Sequence, residues 1–214
     1  MTEKIYNALL KEARHEGGDL WTFVFTTDEP IPYAPGQYAH WRLNNLDEGR
    51  VREFSFSSMP GDDHVSFTTH VRPESPYKQA LSKMNPGDGV EIFKVKGDLV
   101  LADHHTHPVF IAQGVGVTPF RSIIRDIHAQ NRPVTPTLVH VAREHLFRDE
   151  FASLPFAQHR IGREDIESAL ESATQNKEAT YFLVGMPDFI QSLTEKLREK
   201  GVTEEHITTD DWAY

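Results

Sequence analysis

The hydrophobic pattern changes period once along this chain, and that change constrains the fold more than any other feature. Up to about residue 101, apolar residues fall in short alternating segments broken by turn residues. Beyond it, short apolar runs alternate with stretches in which apolar residues recur every three to four positions. The first pattern is that of antiparallel strands, the second that of β-α-β units built on a parallel sheet. The polar stretch Asp103-His104-His105-Thr106-His107-Pro108 marks the change. It predicts two domains, residues 1–102 and 103–214: a β-barrel followed by an α/β domain.

In the first half, Lys4–Arg14 and Leu20–Thr27 flank Gly17-Gly18, a hairpin signal. Gln37–Leu43 follows a proline-rich break that ends in Pro35-Gly36, and Arg52–Ser57 and His64–Arg72 flank Gly61-Asp62-Asp63. Pro86-Gly87-Asp88-Gly89 leads into Val90–Val95, and Gly97-Asp98 into Leu99–Leu101. About six strands at this spacing form a small barrel or sandwich. One helix interrupts them, with Ser75 as cap, Pro76 in its first turn and Tyr77–Lys83 as its body. Trp21 and Trp41 are expected to pack in the barrel.

In the second half, the spacing predicts strands at Val109–Ala112, Thr137–Val141 and Tyr181–Val184, with a last short one starting at Ile207. Helices are predicted over Pro119–Gln130, Asp149–Leu154, Asp165–Ser172 and Pro187–Lys200, the last closed by Gly201. Such a pattern implies a parallel sheet with helices on both faces.

Composition removes whole classes of chemistry. There is no cysteine, so disulfides, thiolate metal sites, iron–sulfur clusters and cysteine nucleophiles are excluded. Redox chemistry would need a bound organic cofactor or a histidine/carboxylate metal site. The 22 basic and 32 acidic residues give a net charge of −10, which disfavours nucleic acid as a partner but allows one local basic pocket. No apolar run reaches the roughly 18–20 residues of a membrane helix. Met1–Glu12 has no signal-peptide core, so a cytoplasmic protein is expected. His104, His105 and His107 are read as linker rather than metal ligands, and no metal is expected.

Two motifs can carry chemistry. Gly114-Val115-Gly116-Val117-Thr118-Pro119 follows an apolar strand and opens a helix. Glycines allow a tight turn and close approach of a ligand, and free amides at a helix start favour a phosphate. An ordinary glycine-rich turn fits the same spacing. Arg52-Glu53-Phe54-Ser55-Phe56-Ser57-Ser58 sets a guanidinium beside an aromatic and several hydroxyls, which suits a phosphate and a flat ring. An alternating strand with one exposed arginine reads the same way.

Taken together and in order, these motifs resemble the ferredoxin–NADP reductase superfamily, whose minimal unit is a flavin-binding barrel followed by a nicotinamide-nucleotide domain. Arg52, Phe54 and Ser55 match its Arg-x-Tyr-Ser flavin motif, and Pro35-Gly36-Gln37-Tyr38 its entry to a barrel strand. His70, Val71 and Arg72 fall at its second flavin segment, and Ser75, Tyr77 and Lys78 at its pyrophosphate-facing helix. Gly114, Gly116, Thr118 and Pro119 match its nucleotide turn, and Val184-Gly185-Met186-Pro187 resembles its Cys-Gly-Pro segment. Asp210-Asp211-Trp212-Ala213-Tyr214 is similar to its acidic, aromatic tail.

The resemblance implies FAD, with NADPH or NADH as reductant. Arg52 would clamp the flavin phosphate, Ser55 would bond near the reactive flavin nitrogen, Thr118 would orient the nicotinamide, and Trp212 or Tyr214 would cover the flavin ring. Gly185 and Met186 would line the nucleotide site. Arg143, after the strand Thr137–Val141, favours the 2′-phosphate of NADPH, although Glu144 opposes it. Electrons would pass to a separate acceptor: a ferredoxin, a flavodoxin, a membrane redox protein or a ferric chelate. Phe54 replaces the usual tyrosine, Val184 the usual cysteine, and Gln113 stands where glycine is common. These departures leave a rival reading, a non-catalytic reductase-like module that binds a nucleotide or partner.

Overall fold

The computed structural model describes residues 4–211. The chain forms two compact units, one from Met1–Val100 with Arg121–Asp126, the other from Leu101–Phe120 with Ile127–Tyr214.

The first unit is a six-stranded antiparallel sheet of β1 (Tyr6–Gly17), β2 (Leu20–Thr27), β3 (Tyr38–Leu43), β4 (Val51–Ser55), β5 (Val65–His70) and β6 (Gly89–Lys96). Its strand order is β4-β3-β6-β1-β2-β5. Strand alternation sets the inner face: Tyr6, Ala8 and Leu10 on β1, and Ala39, Trp41 and Leu43 on β3, are buried. Phe23, Phe25, Trp41, Phe56 and Phe67 form an aromatic core, and Trp21 packs at its margin. Helix α1 (Pro76–Leu81) is tied to that core, because buried Tyr77 donates its hydroxyl to the Trp41 carbonyl at 3.0 Å.

Two expectations need correction here. Leu99–Leu101 is not a strand: Val100 N–H folds back on Asp98 O at 2.8 Å, and buried Leu99 holds its carbonyl against Gly36. Helix α1 stops at Leu81 rather than Lys83, because Lys83 and Met84 bond back three residues, to Ala80 and Leu81, in a tighter turn.

The second unit is a five-stranded parallel sheet in the order β11-β10-β7-β8-β9. Its strands are β7 (Pro108–Gln113), β8 (Thr137–Val141), β9 (Ala157–Ile161), β10 (Thr180–Gly185) and β11 (Ile207–Asp211). Its helices are α2 (Val117–Ala129), α3 (Arg148–Ala152), α4 (Ile166–Ala173) and α5 (Pro187–Glu199). Neighbouring β7 residues face opposite ways and take different helices. Phe110 stacks on Phe120 of α2 at 4.8 Å, whereas Val109 and Ile111 cluster with Leu170 of α4 and Leu193 and Leu197 of α5. Helices therefore cover both faces, as the β-α-β pattern requires. Strand β9 escapes sequence reading because Ala-Gln-His-Arg-Ile is mostly polar and lies at the sheet edge.

Candidate functional site

Each unit gathers its own set of chemically useful groups. In the first, β4 turns Arg52 outward and Ser55 into the interior. Arg52 Nη1 donates to the carbonyls of Gly49 (3.1 Å) and Val51 (2.7 Å), and its guanidinium lies 5.7 Å from the Tyr77 ring centre. Phe54 is half-buried and stacks on Phe67 at 4.1 Å with 2° between the planes. One flat aromatic face is thus backed by the core.

Beside it, Ser75 caps α1 by accepting the Lys78 backbone N–H at 3.3 Å. The Lys78 ammonium is depressed below its ordinary pKa by burial and then by Arg72, with Arg52 adding to this and Asp19 opposing it. Asp19 escaped sequence reading, where it is merely the residue after a glycine turn. It holds the whole His70–Arg72 segment. Its carboxylate accepts from His70 Nδ1 at 2.7 Å and Arg72 Nε at 2.8 Å, and its carbonyl accepts from Val71 N–H at 2.6 Å. Burial works to raise the Asp19 carboxyl, but the bonds from Arg72 and His70 outweigh it and hold it below the usual range. Arg72 and Arg52 both bear on the Lys78 ammonium, and Asp19 opposes them. Positive groups gathered in this way suit a phosphate.

In the second unit, the Gly114–Gly116 turn joins β7 to α2. The two glycines are there for different reasons. Gly114 has φ +54°, and a Cβ on it would meet nothing within 4 Å. A Cβ on Gly116 would lie 2.7 Å from the Val184 carbonyl oxygen of β10. The first glycine supplies backbone freedom beside open space, and the second supplies close packing.

Thr118, expected at the nicotinamide, sits at the start of α2. It is 2% exposed and its hydroxyl donates to Val115 O at 2.7 Å, so it closes the turn from inside. His140 is a further residue the sequence did not reveal. It is buried on β8 and its Nε2–H donates to Gly114 O at 2.8 Å. Burial lowers its pKa to about 4, so the imidazole is neutral at ordinary pH.

The strand order reverses beside β7: the chain runs from β7 outward through β8 and β9, then returns to β10 on the other side. Ligands of open α/β sheets bind at such a switch point, outside the carboxyl ends of the strands. Gly114, Gly116, Gly185 and Met186 meet there, with Met186 N–H donating to Gln113 Oε1 at 3.0 Å. Met186 is 42% exposed. Arg143 and Glu144 are exposed just past the end of β8. Trp212 and Tyr214 lie outside the described residues. Among the described residues no three potential metal ligands come together, and no helix is long and apolar enough to cross a membrane.

No family model matches the chain. The flavohemoprotein of Bacillus subtilis is 24% identical over 234 aligned positions, covering 93% of this chain and 57% of that protein. The flavodoxin/ferredoxin–NADP reductase of Escherichia coli is 24% identical over 180 positions, 80% of this chain and 71% of that protein. The chain spans about half the length of the flavohemoproteins it matches. A ferredoxin NADP+ reductase from Neisseria gonorrhoeae, solved with bound FAD and NADP, superposes with a TM-score of 0.85 at 19% identity, covering 97% of this chain and 98% of that one. The relatives are reductases and flavohemoproteins, and the architecture of an antiparallel sheet unit followed by a parallel-sheet unit is the ferredoxin–NADP reductase fold.

Proposed function

We propose that this chain is an NAD(P)H-dependent flavin oxidoreductase, with FAD on the first unit and the nicotinamide nucleotide on the second. The observation that carries the reading is the Arg52, Arg72 and Lys78 cluster beside the half-exposed Phe54 ring, a site with charge for a pyrophosphate and a face for a flat ring. The residues present fit the cofactor. Arg52 and Lys78 bind its phosphates, Asp19 orients Arg72 and His70 toward the same place, and Phe54 supports the ring. Ser55, 7% exposed at the end of β4, hydrogen-bonds the ring edge. Bound FAD supplies the chemistry, accepting a hydride from the reduced nicotinamide and passing electrons on.

On the second unit, the Gly114–Gly116 turn and the start of α2 hold the nucleotide phosphates, and no acid occupies the first turn of α2 to oppose them. Thr118 and His140 act indirectly by fixing the turn. Gly185 and Met186 line the nicotinamide side of the switch point. Arg143 selects the 2′-phosphate, so NADPH is the preferred reductant. The electron acceptor is a separate molecule, and the reaction is cytoplasmic. The resemblance in motif order and the names of the relatives support the same reading.

The test is direct. The purified chain should be yellow or take up FAD, and anaerobic NADPH or NADH should bleach the flavin absorbance. A colourless chain that cannot be reconstituted with FAD would replace this reading with that of a non-catalytic nucleotide-binding module.

A further inference from the structure

One side chain bridges the two strand ends at the switch point. Gln113 ends β7, while Gly185 and Met186 end and follow β10, 72 and 73 positions later. A Cβ on Gly185 would come within 2.9 Å of Gln113 Cβ and 3.0 Å of its Oε1, so the glutamine lies where a side chain at 185 would be. The group facing Met186 N–H must accept a hydrogen bond, which assigns the amide oxygen to that side. The amide is planar, so its NH2 turns away from Met186. It makes no hydrogen bond among the described residues, and Gln113 is partly exposed. Its chain neighbour is Gly114, beside which a side chain would meet open space.

We propose that Gln113 is a binding residue of the nucleotide site: its NH2, aimed by the Met186 bond, donates to a phosphoryl oxygen of the dinucleotide. This rests on the reading of the second unit as nucleotide-binding. The Met186 contact gives Gln113 two separable functions, accepting from the backbone and donating to the ligand. Gln113→Glu keeps the acceptor and removes the donor. Gln113→Lys keeps a donor and removes the acceptor. Gln113→Met removes both without adding charge.

Oxidised NADP+ and NAD+ are titrated calorimetrically into the purified chain and the three variants, with thermal unfolding as a check on folding. Losing a hydrogen bond to a charged group weakens binding roughly 10-fold or more. Gln113→Glu and Gln113→Met should both show that loss, while Gln113→Lys stays within about threefold of wild type. Two patterns would overturn the inference. Normal binding by Gln113→Glu with weak binding by Gln113→Lys would make the residue a backbone clamp. Normal binding by Gln113→Met would leave nothing but a charge effect. Should Gln113→Glu or Gln113→Lys fail to fold, the remaining pair still separates these outcomes, and Gln113→Leu takes the place of Gln113→Met if that variant fails. A wild-type chain that binds neither nucleotide would overturn the functional reading itself, and this inference with it. A wild-type chain that binds normally beside a normal Gln113→Met would overturn the inference alone.

Discussion

Replacing Arg52 by alanine should separate cofactor binding from folding. In the free protein the side chain is exposed and bonds two nearby backbone carbonyls, contacts worth little in water. Its removal also relieves Lys78, whose ammonium is depressed by burial, by Arg72 and further by Arg52. The two effects oppose each other, so the melting temperature without FAD should move by less than about 2 °C. With FAD the balance differs. A charge-assisted bond to phosphate is worth about 1.5–3 kcal/mol, a factor of roughly 10–150 in affinity. Arg72 and the relieved Lys78 remain to share the charge, which places the expected loss near the lower end, about 10- to 30-fold. Fluorescence titration of FAD into the apoprotein measures this. Thermal unfolding at saturating FAD should lose about 1.4–2 kcal/mol of ligand stabilisation relative to wild type. FAD affinity within twofold of wild type would refute the placement of the phosphate at this cluster. A large fall in the apoprotein melting temperature would show that Arg52 is mainly structural.

Three further outcomes are expected. Gly116→Ala drives a Cβ against the Val184 carbonyl at 2.7 Å and should destabilise by about 1–3 kcal/mol, whereas Gly114→Asn, in open space at φ +54°, should cost about 1 kcal/mol or less yet weaken nucleotide binding; calorimetry on each compares them. His140 has a folded pKa of about 4 against 6.5 unfolded, so its contribution is complete above pH 6.5 and is lost as pH falls toward 4, by about 3 kcal/mol. Gln can make the same bond to Gly114 without titrating, so unfolding curves of His140→Gln should lack that part of the acid sensitivity; identical pH profiles would exclude it. Arg143→Ala should raise the Kd for NADPH roughly 10-fold and leave NADH unchanged in stopped-flow flavin reduction; equal effects on both would remove Arg143 as the selector.

Local signals carried most of the fold. Gly17 and Gly18, at φ 123° and 53°, do close the first hairpin, and Ser75 with Pro76 does start α1. Periodicity located the parallel strands except β9, whose polar edge sequence has no apolar alternation to read. The candidate site was legible in its local features, the turn glycines Gly114 and Gly116 and the exposed Arg52. It was illegible where a residue acts through a distant partner. Asp19 meets Arg72 across 53 positions, His140 meets Gly114 across 26, and Gln113 meets Met186 across 73. Asp19 and His140 look ordinary in their local sequence, and Gln113 stood out only as a departure from a motif, because the fold alone supplies each partner. Thr118 adds a contact that local sequence did not announce, its hydroxyl donating to Val115 O within the turn.

The strand order of the first unit bears on how the chain is made. β1 is an inner strand, flanked by β2 on one side and β6 on the other. The first partner arrives at once through the hairpin. The second pairs Leu9 with Gly89, 80 residues downstream. At about 5–20 residues per second, a ribosome needs roughly 4–16 s to cover that distance. Through that interval the outer edge of β1 has no strand beside it, and Ile5 and Leu9, 45% and 48% exposed even in the folded chain, add apolar surface next to it. A nascent chain stalled before Gly89 is therefore expected to self-associate along β1, and one stalled after Lys96 is not. Sedimentation of the two stalled chains would show the difference. Among the described strands, the first to be made is among the last to be completed.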